Sequence, residues 1–253
     1  MNRLDSLLEK GGVLRTDGAH AFDQEFGSAV AKSTAGEHPA TVFGPVHYER
    51  NYAYPLIVWL HGAGQNERQL VKIMPLISLR NYVAVAPRGT RRVDGTSAAR
   101  QAFTWQQHGG EFDAAQQRVF ELIEEARRQY NVNRRRVFLA GCDVGGTAAL
   151  RMALAHPDRF AGVLSLGGSF PTGRAPLARL VEARRLPIFM AYGRDDAAFT
   201  DAAVEAQLKL FHAAGLQATL RQYPGNSLPG PQMLSNVDRW IMDVVTGEAA
   251  RAC

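Results

Sequence analysis

The sequence predicts a single α/β domain in which helices cover both faces of a mostly parallel sheet. Short apolar runs bounded by glycine, proline or asparagine recur along the chain and are typical of buried strands. Segments whose apolar residues follow helical spacing separate these runs. A length of 253 residues with 46% hydrophobic and 21% charged residues is sufficient for one large core.

The predicted elements alternate from residue 41 onward. The predicted strands are LIVWL (56–60), YVAVA (82–86), VFLA (137–140), GVLSL (162–166), IFMAY (188–192) and ATLRQY (218–223). Helices are predicted over 67–79, 111–130, 147–155, 176–183, 201–214 and 233–245, and an antiparallel edge strand over 42–48. Strands joined through helices run parallel, so their carboxyl ends share one edge of the sheet, where ligands are expected to bind.

The first forty residues differ in composition from the rest. They are poor in large apolar residues, so we predict a loosely packed arm over 1–40 and a folded domain over 41–253. The start of the chain lacks the features of a secretory signal, and no transmembrane segment is predicted because no window approaches eighteen apolar residues. Two cysteines, Cys142 and Cys253, are typical of a reducing compartment, which predicts a cytoplasmic location.

The basic charge of the chain is dispersed. The net charge of +5 comes from 25 arginines and 4 lysines, and the arginines occur as scattered pairs and one triplet, Arg134 to Arg136. That triplet lies where a predicted helix gives way to a strand, so we interpret it as a solvated turn. No nucleic-acid partner is predicted.

Three predicted strands end in residues that carry chemistry. HGAGQN (61–66) is a glycine-rich turn whose free backbone N–H groups could face an oxyanion. GCDVGG (141–146) has small residues two positions before and two after Asp143, as a tight strand-to-helix turn requires. GRDD (193–196) places a carboxylate, Asp196, at the end of its strand. We therefore expect the functional residues at these three strand ends.

In these motifs the chain resembles the phospholipase/carboxylesterase family of α/β-hydrolases. The segments that carry the resemblance are VWLHGAGQNE, RRVFLAGCDVGGTAALRMALAHPDRFAGVLSLGG, PIFMAYGRDD and LRQYPGNSLP, within residues 41–245. The resemblance implies an α/β-hydrolase fold, and only about twenty residues (167–186) separate two strands where related hydrolases carry a cap, so no cap is predicted. It also implies a serine, an acid and a histidine, in that order along the chain. The matching positions are Asp143, Asp196 and Asn226, so only the acid agrees.

The two departures predict a loss of ordinary esterase chemistry. An ionised aspartate has no proton to give, and asparagine does not exchange protons near neutral pH. We expect Asp143 to accept hydrogen bonds from the N–H groups of Ala63 and Val144, the donors that would otherwise hold an oxyanion. The chain is therefore predicted to be a pseudoenzyme that could serve as a scaffold for a small acyl or ester-like ligand. No cofactor and no metal are predicted.

An alternative prediction is a weak or unconventional carboxylic-ester hydrolase. Asp143 could act as a nucleophile, as the elbow aspartate does in epoxide hydrolases and haloalkane dehalogenases, which GCDVGG superficially resembles. That chemistry needs a base, and His108 is the histidine on a loop that could overhang the site. The oligomeric state stays open.

Overall fold

A computed structural model describes residues 30–35, 38–94, 101–173, 175–226 and 229–251. The strands in these residues are β1 (Val30–Ala35), β2 (His38–Phe43), β3 (Tyr54–Leu60), β4 (Val83–Pro87), β5 (Arg91–Arg92), β6 (Phe103–Thr104), β7 (Val132–Cys142), β8 (Gly162–Leu166), β9 (Ile188–Gly193) and β10 (Ala218–Tyr223). Eight of them form one sheet in the order β1-β2-β4-β3-β7-β8-β9-β10, and β5 pairs with β6 in a separate small sheet.

The helices are α1 (Gln69–Ile77), α2 (Gly109–Gln129), α3 (Val144–Ala155), α4 (Leu180–Ala183), α5 (Asp201–Ala214) and α6 (Pro231–Arg251), and a 3₁₀ turn follows α3 over Pro157–Arg159. None of the helices in the described ranges combines the length and the hydropathy needed to cross a bilayer.

The sheet confirms the predicted α/β class. Strands β4, β3, β7, β8, β9 and β10 pair in parallel, whereas β2 runs antiparallel to both β1 and β4. All six predicted strands are present, and β8 and β10 have the predicted bounds, although β10 lies at the sheet edge and is only partly buried.

Two hydrophobic clusters cover the two faces of the sheet. Alternate residues of β3 enter different clusters: Leu56 and Val58 pack with α2 and α3, while Ile57 and Trp59 pack with α1 and α6. Every residue of β3 is buried, as expected of a central parallel strand with helices on both sides. The sheet is therefore packed on both faces, and its carboxyl edge carries the site.

The predicted antiparallel strand is displaced along the chain. It was predicted over 42–48 at the sheet edge, but it runs over 38–43 and β1 pairs on its outer side. The strand ends there because Gly44 and Pro45 follow, and proline lacks the N–H that a sheet needs. The predicted boundary between arm and domain, at residue 40, falls inside β2. Residues 1–29 lie outside the described residues.

The arginine triplet lies in a strand and not in a turn. Strand β7 begins at Val132, five residues before the predicted start, because Val132 pairs with Tyr54 of β3 ahead of a register shift. Arg134 and Arg135 are exposed on this extension, so their solvated character agrees with the sequence although the predicted turn was wrong.

The helix predicted over 176–183 is reduced to α4, which has four residues. Residues 176–179 form turns instead. Ala183 is the buried residue of α4, and an isolated helix this short gains too little from packing to offset the cost of its first turn. The connection between β8 and β9 accordingly carries no substantial helical cap in its described residues.

Candidate functional site

The turn between β7 and α3 places Asp143 at the carboxyl edge of the sheet. Asp143 has φ 52° and ψ −130°, a conformation that costs a non-glycine residue about 1–3 kcal/mol. The neighbouring glycines make this geometry possible, since a Cβ on Gly145 would lie 2.3 Å from the carbonyl oxygen of Leu60. Helix α3 therefore begins at Val144, three residues earlier than predicted, with the Thr147 N–H donating to the Asp143 carbonyl at 3.1 Å.

The glycine turn after β3 contacts the side chain of Asp143. The Ala63 N–H donates to Asp143 Oδ2 at 3.0 Å, across 80 positions of sequence. Gly64 has φ 71°, which favours glycine, and its N–H donates to the Phe103 carbonyl at 3.0 Å, which holds the turn in place. The structure thus brings together two of the predicted residues, and both are exposed.

Val144 does not take the predicted part in this contact. Within the described residues the Asp143 carboxylate accepts from Ala63, and no hydrogen bond joins it to the Val144 N–H. The Val144 carbonyl instead accepts from Gln107 Nε2 at 3.2 Å, which connects the elbow to the loop before α2. The Asp143 carboxylate therefore accepts from one backbone N–H group, that of Ala63, and not from the two that were predicted.

His61 begins the glycine turn and is fully buried. Its Nε2 accepts from the Gly89 N–H at 2.9 Å, so the ring proton lies on Nδ1, which donates to the Gly62 carbonyl at 2.8 Å. Burial lowers the pKa of this imidazole to about 4. Both ring nitrogens are committed to the backbone, so His61 holds the turn and is not available to exchange protons with a ligand.

The burial of His61 leads to a testable pH dependence. Because its pKa is lower in the folded than in the unfolded protein, the unfolded state binds more protons between about pH 4 and 6.5. The free energy of unfolding is therefore expected to decrease as the pH is lowered through this window, by about 1.4 kcal/mol per pH unit from this group. Urea titrations of the wild type and His61→Gln measure the slope, which should be shallower in the variant. The exposed control His212→Gln should keep the wild-type slope; equal slopes in all three proteins would contradict this role.

A buried ion pair supports the other end of the glycine turn. Arg88 donates from Nε to Glu67 Oε2 at 2.8 Å and from Nη2 to Glu67 Oε1 at 2.5 Å. Nη2 also lies 2.9 Å from Gln101 Oε1, and the guanidinium lies 4.8 Å from the ring centre of Phe103. Burial by itself raises the pKa of Glu67, but the hydrogen bonds and charge of Arg88, together with a backbone hydrogen bond, outweigh it and hold that pKa below its ordinary value. This pair was not predicted, because 21 residues separate its members and no local motif marks them.

The loops after β9 and β10 carry the other two predicted site residues, Asp196 and Asn226, and these loops contact each other. A Cβ on Gly193 would lie 2.1 Å from the backbone carbon of Asn226, so glycine is needed where the two chains meet. The Asp195 N–H donates to the Gly225 carbonyl at 2.9 Å, which joins the two loops. Asp196 Oδ1 accepts a hydrogen bond from the Ala198 N–H at 2.9 Å, which stabilises the turn that follows β9.

His108 lies immediately before α2 and is exposed. Its ring lies close to Gly173, where a Cβ would come within 3.9 Å of Cε1. Arg151 is buried and joins the same two loops, with Nη2 2.6 Å from the Thr172 carbonyl and Nε 3.5 Å from Gln107 Oε1. The loop that carries His108 is thus anchored beside the elbow, and Arg151 is a residue that the sequence did not reveal.

The thiol beside Asp143 is shielded from the site. Cys142 is buried, and its Sγ lies 3.4 Å from Gln69 Oε1. Burial raises the pKa of this thiol to about 11, so it stays protonated and unreactive near neutral pH. Among the residues that the structure describes, no group of three or more histidine, cysteine, aspartate or glutamate side chains could hold a metal ion.

Comparison with protein families finds a match to the Phospholipase/Carboxylesterase family over residues 45–242. The chain belongs to this family. Curated relatives include a bifunctional acetylxylan esterase/xylanase of Neocallimastix patriciarum, 26% identical over 182 residues, and the putative esterase NocK of Nocardia uniformis subsp. tsuyamanensis, 31% identical over 144 residues. These matches cover 69% and 56% of this chain, but only 25% and 40% of the relatives.

Solved structures agree with the family at the level of the fold. The structure of a carboxylesterase from Mesorhizobium loti superposes with a TM-score of 0.65 and 18% identity, covering 85% of this chain and 99% of that one. At this identity the likeness shows an α/β-hydrolase fold, as the sequence resemblance implied. This likeness extends to the fold alone, so the chemistry of this family member depends on its own site residues.

Proposed function

We propose that this phospholipase/carboxylesterase family member is a pseudoenzyme that binds a small acyl or ester-like molecule without hydrolysing it. The serine and histidine that the family mechanism requires correspond to Asp143 and Asn226, while Asp196 supplies the acid. In a catalytic triad the hydroxyl attacks and the imidazole carries its proton, and neither function passes to the residues present here. The cytoplasmic location stays a prediction that rests on the cysteine content.

The observation that carries the proposal is the 3.0 Å hydrogen bond from the Ala63 N–H to Asp143 Oδ2. In an esterase, a donor at this turn stabilises the negative oxygen that develops on the substrate. Here the carboxylate takes that donor, and its own charge opposes a second anion at the same place. A neutral carbonyl compound bound nearby would meet no such repulsion, which favours binding over acyl transfer.

The alternative, a weak carboxylic-ester hydrolase, draws support from the backbone at the elbow. Asp143 keeps its strained φ of 52° although the serine is gone, and its side chain is exposed. A carboxylate held in this way could attack the carbonyl carbon of an ester and expel the alkoxide, which takes a proton from water, and a second water would then cleave the acyl-enzyme anhydride. His108 is the base for which the anchored loop provides a place beside the elbow.

Steady-state assays with p-nitrophenyl acetate distinguish these two functions. The wild type is expected to match a protein blank, and Asp143→Ala and His108→Ala should not change the rate, because no group is present to carry the proton. Saturable wild-type turnover that Asp143→Ala abolishes would replace the pseudoenzyme with a carboxylate mechanism, and loss in His108→Ala would identify the base.

Ligand binding is measured separately with a compound that the protein does not cleave. The amide N-phenylbutyramide should raise the melting temperature of the wild type in a concentration-dependent way, since binding to the folded state stabilises it. Ala63→Trp places a large ring on the exposed glycine turn and should remove this shift. An unchanged melting temperature at millimolar amide would contradict ligand binding at this site.

A further inference from the structure

A concave site lies at the opposite end of the sheet from Asp143. A cavity of about 430 Å³ opens where β8 and β9 begin, beside the early residues of β7. Arg135, which lines it, is seven residues before Cys142 on the same strand, a separation of about 23 Å at ~3.3 Å per residue. The cavity is therefore independent of the candidate site at the elbow, and its volume falls within the range of small-molecule pockets.

Four arginines from three separate parts of the chain line this cavity. Arg134 and Arg135 come from β7, Arg159 from the 3₁₀ turn after α3, and Arg185 from the segment after α4. In the part of the chain that the structure describes, no hydrogen bond or ion pair engages the guanidinium groups of Arg134, Arg135 or Arg185. Like charges gathered without partners repel one another, so a bound anion would stabilise the arrangement.

The two acids at the cavity share one cation that lies outside it. Asp158 and Glu182 line the cavity, and Nη2 of Arg179 lies 2.5 Å from Asp158 Oδ2 and 3.1 Å from Glu182 Oε1. Arg179 itself is not among the lining residues. Arg179 offsets one of these two negative charges, so the four lining arginines outnumber the one that remains and determine the sign of the potential in the cavity.

An apolar surface completes the site. Phe160 and Leu186 are buried beneath the cavity, and Val181 at its wall is 73% exposed, the most exposed large apolar side chain described. A simple inorganic anion would use the guanidinium groups and leave this surface in water. A ligand with both an anionic group and an apolar part would use both.

We propose that this cavity binds a small organic anion whose phosphate or paired carboxylates contact Arg134, Arg135 and Arg185 while its apolar part covers Val181. Planar guanidinium groups recognise phosphate and carboxylate oxygens through paired hydrogen bonds, and several of them together favour a group with two negative charges. The cavity is too small for a nucleic-acid duplex, and the acids at its rim would repel a continuous phosphate backbone.

Calorimetric titration with phenyl phosphate tests the site. We expect saturable binding by the wild type, weaker binding of inorganic phosphate because it lacks the apolar part, and no binding of phenol. Phenyl phosphate against phthalate separates phosphate from paired carboxylates as the preferred group. Arg134→Gln and Arg185→Gln should each raise the dissociation constant at least about tenfold, because each removes a charge-assisted hydrogen bond. Arg239→Gln, an exposed arginine on α6, is the matched control and should leave the constant unchanged.

A variant that is expected to bind more tightly distinguishes a loss of ligand contacts from a loss of folding. Glu182→Gln removes a negative charge from the cavity wall and leaves Arg179 less neutralised, so phenyl phosphate should bind several-fold more tightly. The proposal is overturned if neither phenyl phosphate nor phthalate binds, or if Arg239→Gln weakens binding as much as Arg134→Gln. An oligonucleotide that binds more tightly than phenyl phosphate, and equally to all variants, would also overturn it.

Discussion

The double variant Asp143→Ser/Asn226→His is expected to hydrolyse p-nitrophenyl acetate with saturation kinetics, at a rate about 10²-fold above either single variant. The hydroxyl and the imidazole act as a unit, so each alone adds little to the rate. Removing the aspartate also frees the Ala63 N–H, now bound at 3.0 Å to Asp143 Oδ2, for the developing oxyanion. Rates measured for the wild type, both single variants and the double variant complete the cycle.

Asp196 provides the matched control for that experiment. If it orients the new imidazole, adding Asp196→Asn to the double variant should return the rate to that of the single variants, because the wrong tautomer of the histidine is then favoured. The Asp196 carboxylate must give up its bond to the Ala198 N–H or use its second oxygen. A silent double variant with an unchanged circular dichroism spectrum would contradict the assignment of Asp143 and Asn226 to the family's catalytic positions.

Arg88→Met is expected to produce the largest loss of stability, about 3 kcal/mol in the free energy of unfolding at pH 7. Glu67 is 4% exposed and depends on two hydrogen bonds from Arg88, so the substitution leaves a buried carboxylate without its partner. Chemical denaturation at pH 7 measures the loss. Arg92→Met, an exposed arginine on β5, should change the free energy by less than about 0.5 kcal/mol.

The pH dependence of this loss has a definite sign. In the wild type the pKa of Glu67 lies below its ordinary value of 4.5, so the pair contributes its full stability above that pH and loses it as the pH falls through the folded-state pKa. Without Arg88, burial raises the pKa of Glu67, so the carboxylate takes up a proton early on acidification and its penalty disappears. The difference between the two proteins should therefore shrink from pH 7 toward pH 4. A difference that grows on acidification would contradict the role of this pair.

The fold class and the strand order along the chain follow from local sequence. Buried parallel strands such as GVLSL are apolar throughout, and the glycines around Asp143 are required by the turn itself, so both features are visible in short windows. The position of Asp196 shortly after a strand was likewise predictable, while its role as the acid stays a prediction. The same local logic failed at the start of β7, which pairing with β3 extends, and in α4, where Ala183 is the one fully buried residue.

Contacts between distant segments were decided only by the tertiary structure. The strand order places β3 beside β7, which brings the Ala63 N–H to Asp143 as predicted, but the absence of Val144 from that contact was not predicted. The pairing of Glu67 with Arg88, the tautomer of His61 and the cavity shared by Arg134 and Arg185 arise in the same way. Local sequence determines which elements form because propensity and apolar periodicity act over a few residues. Hydrogen bonds and ion pairs act over about 3 Å, so they depend on side-chain positions that only the packed sheet defines.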